Sequence, residues 1–401
     1  MTEKNTRLYP ILVEGVAEAL ATVFSSPTPA DRVLERMFKS HPKWGARDRA
    51  FVAETTYDII RNYRRLYEAV GKQPGNLFEY RQLIGWFLWQ KGYSLPDWLV
   101  TAATRQLMDS YTGENQPFEI SESYPDWLHA AGNAQLGGDW EAIAAALNLP
   151  AALVLRVNSL KTTREAVLAF LHAENIPAQA LGAEGILVEK RANVFKMKPF
   201  QDGWFEVQDA ASQEVARALA PKPGEWVIDA CAGAGGKTLH LAALMQNKGR
   251  ITALDVETAK LEELRRRARR AGAHTIEVRT IDSSKTIKRL AGQADRLLLD
   301  VPCSGLGVLR RNPDTKWRLT PALLSEVQAL QADILNRYAF MLKPGGTMVY
   351  ATCSILPAEN EAQIEAFTKN HPDFQLIEQK NLHPHTFGYD GFFIATLSRK
   401  G

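Results

Sequence analysis

The chain has 401 residues and a net charge of +3, with 45% hydrophobic and 23% charged residues. This balance is typical of a globular protein, and the length exceeds one ordinary hydrophobic core, so two or three domains are expected. The longest apolar run, Leu83 to Trp89, is too short to span a bilayer, and no signal-like segment begins the chain. Composition therefore argues against a membrane protein, and a cytoplasmic location is expected.

The chain has three cysteines, Cys231, Cys303 and Cys353, and their spacing matches no disulfide framework. This usage indicates free thiols in a reducing compartment, and without a Cys-x-x-Cys pair we expect no metal site. Basic residues form three runs, which together favour an anionic partner, although each could be a solvated surface. The runs are Arg61, Arg64 and Arg65; Arg265, Arg266, Arg267, Arg269 and Arg270; and Arg310, Arg311, Lys316 and Arg318.

The first part of the chain is predicted to be all-helical. Apolar residues recur at helical spacing from Leu12 to Val23 and from Phe51 to Leu66, and no segment before about residue 150 alternates as a strand would. We place this domain at residues 1–120, ending in the polar stretch Thr112 to Ser123.

Residues 121–205 are predicted to form linker helices and a small α/β module. Its strands are expected at 153–157 and 185–188, with a helix at 164–174 between them.

Residues 206–401 show apolar runs that alternate with amphipathic helices, which predicts an α/β domain with a parallel sheet covered on both faces. The final pieces, 374–377 and 392–397, are expected to close the sheet as a hairpin. The other predicted strands are 226–230, 251–254, 276–281, 296–299 and 347–351, and the helices are 237–245, 258–271 and 321–342.

A glycine-rich turn follows the first strand of this domain, in the sequence Asp229-Ala-Cys-Ala-Gly-Ala-Gly-Gly-Lys237-Thr238. Glycine lets the backbone approach a ligand, and the start of the following helix offers free N–H groups. A phosphate-binding P-loop would need glycine at Cys231, and a dinucleotide-binding fingerprint would need it at Thr238. Both motifs fail by one residue, and a plain tight turn is the remaining alternative.

Carboxylates at the next two strand ends favour a nucleoside ligand. Asp255 ends the second strand, 19 residues after Gly236, where a carboxylate can accept both ribose hydroxyls of an adenosine cofactor. Asp282 ends the third strand and could face the adenine amino group. A helix N-cap before Ser283 is a close alternative for Asp282.

Cysteines follow two neighbouring strands. The fourth strand leads into Asp300-Val-Pro302-Cys303, and the fifth into Thr352-Cys353-Ser354. Either cysteine alone would be expected to be a small core residue. Together, at the carboxyl ends of adjacent strands and beside an acid, they favour catalysis. The side chain of Cys231, inside the glycine turn, is expected to be structural.

These motifs resemble those of the RNA cytosine-5 methyltransferases of the Fmu/Sun/NOP2 family, which includes the RsmB-like bacterial enzymes. The family shows D-A-C-A-A-P-G-G-K-T, D-A-P-C-S-G-x-G and T-C-S in the order found here. Segments 208–212, 310–317 and 359–361 also match, so the resemblance covers roughly residues 150–400. In this chain Gly233-Ala234 replaces Ala-Pro and Val301 replaces alanine, changes that remove no reacting group.

The resemblance implies a class I, Rossmann-like methyltransferase domain that binds S-adenosylmethionine, preceded by an RRM-like module. The helical part, with Gly45-Ala-Arg-Asp-Arg49, is similar to a NusB-like RNA-binding domain, which makes 16S ribosomal RNA the expected substrate. The implied cofactor contacts are Cys231, Ala232, Gly233, Ala234, Gly235, Gly236, Lys237, Asp255, Asp282, Asp300 and Pro302.

The resemblance also implies covalent catalysis. Cys353 would add to carbon 6 of cytosine, Cys303 would help remove the proton from carbon 5, and Asp300 would hold the polar edge of the base. Lys237 would assist there or contact the cofactor turn. The target base must be single-stranded or flipped out of its stack. Alternatives are a transfer RNA methyltransferase, a non-catalytic RNA-binding or assembly factor, and a P-loop ATPase.

Overall fold

The computed structural model describes residues 7–112, 116–190 and 192–401, so the polar stretch 112–123 is described apart from 113–115. The chain divides into two compact units, Met1–Asn148 with Leu309–Pro321, and Leu149–Val308 with Ala322–Gly401. This grouping differs from the predicted boundaries at residues 120 and 205, because residues up to Asn148 and the segment Leu309–Pro321 belong with the helices. Within the described ranges, no helix is both long and apolar enough to cross a membrane.

The first unit is helical, and its core is built from the apolar faces that the helical spacing predicted. Val16, Leu20 and Ile59 are fully buried there. Asn76 and Thr101 start two of the helices, because each side chain accepts a first-turn backbone N–H. The helices are α1 (Pro10–Ser25), α2 (Ala30–Ser40), α3 (Ala46–Arg61), α4 (Tyr63–Val70), α5 (Leu77–Gln90), α6 (Ala102–Ser110), α7 (Phe118–Ser121), α8 (Asp126–Leu136) and α9 (Trp140–Leu147), and Thr315–Arg318 forms a further helical turn.

The second unit contains a four-stranded antiparallel sheet of order β2-β3-β1-β4, with Val167 and Leu171 of α10 in its core. The predicted strands β1 and β3 and helix α10 are confirmed. Strands β2 and β4 were not predicted, because they are only four and three residues long and too short to show a pattern. The elements are β1 (Leu153–Val157), α10 (Arg164–Ala173), β2 (Ala178–Leu181), β3 (Gly185–Val188), α11 (Lys198–Gln201), β4 (Phe205–Val207) and α12 (Ala210–Leu219).

The second unit also contains a seven-stranded sheet of order β10-β11-β9-β8-β5-β6-β7, which confirms the Rossmann-like α/β fold. Strands β5 to β9 pair in parallel, and β11 is antiparallel to both neighbours. The strands are β5 (Trp226–Asp229), β6 (Arg250–Asp255), β7 (Ile276–Thr280), β8 (Ala294–Asp300), β9 (Leu342–Thr352), β10 (Phe374–Leu382) and β11 (Phe392–Arg399). The helices are α13 (Gly236–Leu244), α14 (Thr258–Ala271), α15 (Ser284–Lys288), α16 (Pro321–Tyr338), α17 (Glu361–Asn370) and α18 (Pro384–Phe387).

Two predicted boundaries in this sheet were wrong. The helix expected at 321–342 ends at Tyr338, and Leu342 already begins β9 because it pairs with Ala294 of β8. The closing strands β10 and β11 pair antiparallel as expected, but β10 extends to Leu382 instead of ending at 377, and α18 lies between the two strands.

The strand order determines where a ligand can bind. The chain proceeds outward from β5 to β6 and β7, and then returns to place β8 beside β5. In open α/β sheets, ligands bind at the carboxyl ends of strands where the order reverses in this way. The glycine turn follows β5 and the Pro302-Cys303 segment follows β8, so both lie at this edge.

Candidate active site

The glycine turn between β5 and α13 has the room that a ligand needs. Gly233 and Gly235 have positive φ angles of +53° and +87°, a conformation that favours glycine. A Cβ on Gly235 would lie 2.5 Å from Leu264 Cγ, whereas one on Gly233 or Gly236 would meet no atom within 4 Å. Gly235 is therefore required by packing, while Gly233 and Gly236 face open space.

Asp255, at the end of β6, supports this turn. Its Oδ2 accepts the N–H of Gly233 and its Oδ1 accepts that of Glu257, both at 2.8 Å. Each carboxylate oxygen has a second lone pair. The half-buried side chain therefore orients the turn and can still accept a hydrogen bond from a ligand.

Asp282, just beyond β7, is exposed and is hydrogen-bonded to the residues that follow it. Its Oδ1 accepts the hydroxyls of Thr286 at 2.7 Å and Ser283 at 3.3 Å, and these hydrogen bonds lower the pKa of Asp282. Ser283 occupies the N-cap position of α15, with no side-chain cap. Asp282 thus binds the Thr286 hydroxyl of α15, and no hydrogen bond within the described ranges links it to another predicted site residue.

Lys237 and Asp300 form an ion pair, with Lys237 Nζ 2.7 Å from Asp300 Oδ2. The Lys237 ammonium also lies 5.1 Å from the centre of the Phe392 ring. Burial opposes the charge on Lys237, but the Asp300 carboxylate raises the pKa of the lysine above its usual value. Of the two roles considered for Lys237, the structure places it beside Asp300.

Cys303 and Cys353 lie side by side, with their sulfurs 3.2 Å apart. They follow the neighbouring parallel strands β8 and β9, in which Asp300 pairs with Ala351. The hydrogen bond to Cys353, together with burial, raises the pKa of the Cys303 thiol well above its usual value. Cys303 therefore keeps its proton and can donate it to the Cys353 sulfur. In the described part of the chain, no cluster of three or more His, Cys, Asp or Glu side chains could hold a metal ion.

Glu359 is hydrogen-bonded to the two loops that carry the cysteines and was not among the predicted site residues. Its side chain is buried and accepts the hydroxyls of Ser304 and Ser354, the residues that directly follow Cys303 and Cys353. In the sequence, residues 359–361 stand out only as a segment that resembles the family. A glutamate that closely follows a strand-end motif was the available signal, but its contacts to both loops depend on the folded chain.

Asp229, the last residue of β5, was also assigned no role. Its Oδ2 accepts the Thr238 hydroxyl at 2.7 Å, while Oδ1 has no hydrogen-bond partner among the described residues. Burial raises the pKa of Asp229 to about 7, and the nearby Asp300 adds to the shift. The start of the glycine turn thus contains a buried acid whose pKa stays raised, although the Thr238 hydroxyl and the nearby Lys237 ammonium act to lower it.

The remaining predicted positions are held by packing and by backbone anchors. Cys231 packs against the core of the large sheet, and burial raises the pKa of its thiol well above the usual value, which fits a structural side chain. The anchors are the Ala232 N–H to Leu254 O (2.9 Å), Arg267 to Ala234 O (2.8 Å) and Gln331 to Pro302 O (3.0 Å).

Two of the basic runs proved to be partly structural. Within the helical unit, Arg61 donates to the carbonyls of Leu309 and Arg310, and the fully buried Lys316 donates to Arg61 O at 2.9 Å and to Asn148 Oδ1 at 3.0 Å. Burial lowers the pKa of Lys316 well below its usual value, and the neighbouring Arg61 adds to this effect. The expectation that these runs face an anionic partner is wrong for Arg61 and Lys316, which connect Leu309–Pro321 to the helices.

The third run, on α14, is divided. Arg267 and Arg270 both pair with the buried Glu206, at 3.0 and 2.5 Å, while Arg265 and Arg269 are exposed. A different group of exposed cations lies in the helical unit, on α2 and around the start of α3. This group, called here the α2 cationic stripe, comprises Arg32, Arg36, Lys39, Lys43 and Arg47.

Comparisons with known proteins agree with this architecture. Residues 216–398 match the model of the 16S rRNA methyltransferase RsmB/F family, and residues 124–195 match the ferredoxin-like domain of RsmF/B-like methyltransferases. The chain is similar to the probable ribosomal RNA small subunit methyltransferase B of Synechocystis sp., with 34% identity over 92% of this chain and 95% of that protein. A protein of the same name from Bacillus subtilis is 38% identical over 70% of this chain and 67% of its own length. The crystal structure of PH0851 is similar over 99% of this chain and 100% of that chain, with a TM-score of 0.79 and 26% identity.

Proposed function

Because the chain belongs to the 16S rRNA methyltransferase RsmB/F family, whose enzymes methylate RNA with S-adenosylmethionine, we propose that it methylates carbon 5 of a cytosine in 16S ribosomal RNA. The observation that carries the carbon-5 assignment is the pair of sulfurs 3.2 Å apart at the ends of β8 and β9. Carbon 5 of cytosine is a poor nucleophile until a thiolate adds to carbon 6, so a pair of thiols suits this base.

The cofactor would be held by residues at the ends of β5, β6 and β7. The backbone of residues 231–237 would approach it, Asp255 would accept its ribose hydroxyls, and Asp282 would face its adenine amino group. The open space at Gly233 and Gly236 and the spare lone pairs of Asp255 support this fit. When bound, S-adenosylmethionine would supply an electrophilic methyl group carried on a sulfonium, and the bond between that methyl group and sulfur would break on transfer to leave the neutral thioether S-adenosylhomocysteine.

Cys353 acts as the nucleophile in this proposal. Its thiolate forms a bond to carbon 6, and the electrons of the carbon 5–carbon 6 double bond move to make carbon 5 nucleophilic. Once the Cys353 proton has passed to solvent, the Cys303 thiol, whose sulfur is 3.2 Å away, would donate to the Cys353 sulfur and stabilise the thiolate before attack. Carbon 5 then forms its bond to the methyl group.

Cys303 completes the reaction. Once Cys353 is bonded to carbon 6, the hydrogen bond that held the Cys303 proton is lost, and the Cys303 thiol would release that proton to solvent. Its sulfur would then accept the proton of carbon 5. The electrons of that carbon–hydrogen bond restore the double bond, and Cys353 leaves carbon 6 as a thiolate. The position of Cys303, whose sulfur lies 3.2 Å from that of Cys353, suits it to act as the base for this step.

Asp300 and Lys237 orient the base. The Asp300 carboxylate is 28% exposed, so it can reach the polar edge of a cytosine while it stays paired with the Lys237 ammonium. An Asp300 carboxyl at this edge favours a protonated ring nitrogen in the adduct. Lys237 would keep the carboxylate in place through their 2.7 Å contact.

The helical unit would bind the RNA backbone. The α2 cationic stripe supports this role, because its five cations are exposed and, among the described residues, only Arg32 and Lys39 of the five form a salt bridge, in both cases with Glu35. Phosphate contacts of this kind position an RNA without reading its sequence.

Substitution of the two cysteines tests the mechanism. Cys353→Ala should abolish methylation and leave no covalent RNA adduct, because alanine cannot attack carbon 6. In the Cys303→Ala variant, Cys353 should still attack carbon 6 and carbon 5 should still accept the methyl group. The methylated protein–RNA adduct should then accumulate and survive denaturing electrophoresis. The double variant is the control and should form no adduct. Full activity in both single variants would exclude covalent catalysis, and an adduct with Cys353→Ala alone would reverse the roles.

The substrate is tested separately by mapping 5-methylcytosine in the RNA of cells with and without the gene. One cytosine of 16S ribosomal RNA should lose its methyl group in the deletion strain. Loss from a transfer RNA, with 16S ribosomal RNA unchanged, would contradict the substrate assignment while leaving the chemistry intact.

A further inference from the structure

We propose that Glu359 is a positioning residue that sets the distance between the Cys303 and Cys353 sulfurs. The proposal concerns the arrangement of the site and rests on the proposed function only for its effect on methylation. Glu359 is fully buried and therefore does not act on the RNA itself.

The Glu359 carboxylate has a complete set of hydrogen-bond donors. Its Oε2 accepts the backbone N–H of Ser304 at 2.8 Å and the Gln331 amide at 3.0 Å. Its Oε1 accepts the Ser304 hydroxyl at 2.5 Å and also the Ser354 hydroxyl. An ionised carboxylate only accepts hydrogen bonds and can accept about four, so these donors match its charged form.

One oxygen atom connects the two catalytic loops. Oε1 receives the hydroxyls of Ser304 and Ser354, which are themselves 3.2 Å apart. Each serine directly follows one of the cysteines, so the carboxylate restrains both loops one residue from the sulfurs. Hydrogen bonds to a charged acceptor are shorter and about twice as strong as neutral ones, which suits them to hold two loops in register.

Glu359 is itself held firmly. The Tyr350 hydroxyl donates to the Glu359 carbonyl at 2.8 Å, which anchors the glutamate to β9. The next residue, Asn360, accepts the Thr352 hydroxyl at 2.6 Å and donates to the Ser354 carbonyl at 3.2 Å. The distance between the sulfurs is therefore set by a buried, hydrogen-bonded group that holds both loops.

Thiol chemistry tests the proposal without RNA or cofactor. Diamide takes the two thiol hydrogens as a disulfide forms, and the rate of closure depends on how often the sulfurs meet. In the full-length protein, Glu359→Gln should slow closure between Cys303 and Cys353 by about 10- to 100-fold, the range expected when reacting groups are misplaced by about 1 Å. Glutamine at position 359 keeps only one acceptor oxygen, and its new amide N–H would face the hydrogen-bond donors of Ser304, Ser354 or Gln331. Glu365→Gln, an exposed position on α17, is the matched control and should close as fast as wild type.

Catalysis provides the second measurement. Glu359→Gln should lower kcat for methylation while the Kd for S-adenosylhomocysteine stays within about twofold, because the glycine turn is unchanged. If Glu359→Gln does not fold, the double variant Ser304→Ala/Ser354→Ala removes both hydroxyl donors with little loss of volume and should show the same slow closure.

The outcomes separate this proposal from the proposed function. Closure at the wild-type rate in both the Glu359→Gln and double-serine variants would overturn the positioning role. Slow closure in these variants supports it even if the cysteine substitutions leave methylation unchanged, a result that would instead contradict covalent catalysis. A kcat that falls with unchanged closure would also count against positioning.

Discussion

Lys237 in the sheet unit, whose side chain is 13% exposed, and Lys316 in the helical unit, which is fully buried, have different partners. Lys237 faces the Asp300 carboxylate at 2.7 Å, whereas Lys316 faces the carbonyl of Arg61 and the amide oxygen of Asn148. The pKa of Lys237 is raised by its carboxylate despite burial, and that of Lys316 is lowered by burial. A lysine shielded from water thus keeps a raised pKa only where the fold places a carboxylate beside it.

Lys237 and Lys316 also differ in what they do. The ion pair of Lys237 stands at the carboxyl edge of the sheet beside a partly exposed carboxylate, so it can meet a substrate. Lys316 connects the segment Leu309–Pro321 to the helices, and the ring of its neighbour Tyr124 lies 4.4 Å from the ammonium. Both lysines belong to segments that resemble the family, 229–238 and 310–317, but only Lys237 lies at the candidate site.

The largest expected effect concerns Asp229, which like Lys316 is buried without a directly paired opposite charge. Its pKa of about 7, against an unperturbed 3.8, means that the folded state binds more protons than the unfolded state between about pH 4 and pH 7. The stability from this group is fully present below pH 4 and is lost as the pH rises through 7, by about 4 kcal/mol in total. Denaturant unfolding of wild type and Asp229→Asn across this range should show the difference. Parallel pH profiles for the two proteins would refute the effect of burial.

Next in size is Lys316→Met. The substitution leaves the Arg61 carbonyl and the Asn148 amide oxygen buried without this donor, so the free energy of unfolding should fall by about 2–3 kcal/mol. Thermal melting measures the loss, and binding of S-adenosylhomocysteine should be unchanged. Lys39→Met, at a lysine whose side chain is 74% exposed, is the control and should melt as wild type does. Equal melting temperatures for all three proteins would mean that Lys316 has no structural role.

Unlike Lys316→Met, Lys237→Met should lower activity and leave stability almost unchanged. Loss of one charge-assisted hydrogen bond to Asp300 should reduce kcat/KM by about 10- to 100-fold. The melting temperature should change little, because water can reach the partly exposed carboxylate. Steady-state methylation and thermal melting of the same preparation check both points. A variant that loses stability but keeps its activity would break the contrast with Lys316.

The smallest effects are expected for single cations of the α2 cationic stripe. Arg36→Ala or Arg47→Ala should weaken RNA binding modestly and lower the salt dependence of the binding constant by about one counterion for each phosphate that is no longer neutralised. Lys316→Met should leave that salt dependence unchanged, since its ammonium is buried. Titrations at several salt concentrations distinguish the buried cation from the exposed ones. An unchanged slope for both stripe variants would exclude this surface from the RNA interface.

Local motifs predicted much of the candidate site. The glycine turn, Asp255 and the two cysteines each follow a strand that hydrophobic patterning identifies, and parallel strands bring their carboxyl ends to one edge. Glu359 could not be assigned in the same way, because its function depends on two loops separated by 50 residues in the chain. The short strands β2 and β4 were missed because three or four residues carry no clear period.

Sequence by itself determined the α/β class, the order of the strand-end motifs and the identity of the two thiols, because these depend on short-range periodicity and spacing. Tertiary structure decided which charges are available. Arg61 and Lys316 look like parts of basic runs in the sequence, yet folding buries them against backbone carbonyls, while Arg36 and Arg47 remain in water. The 3.2 Å distance between the sulfurs was likewise decided only by folding. Burial and long-range pairing depend on which distant segments pack together, and no local pattern encodes that.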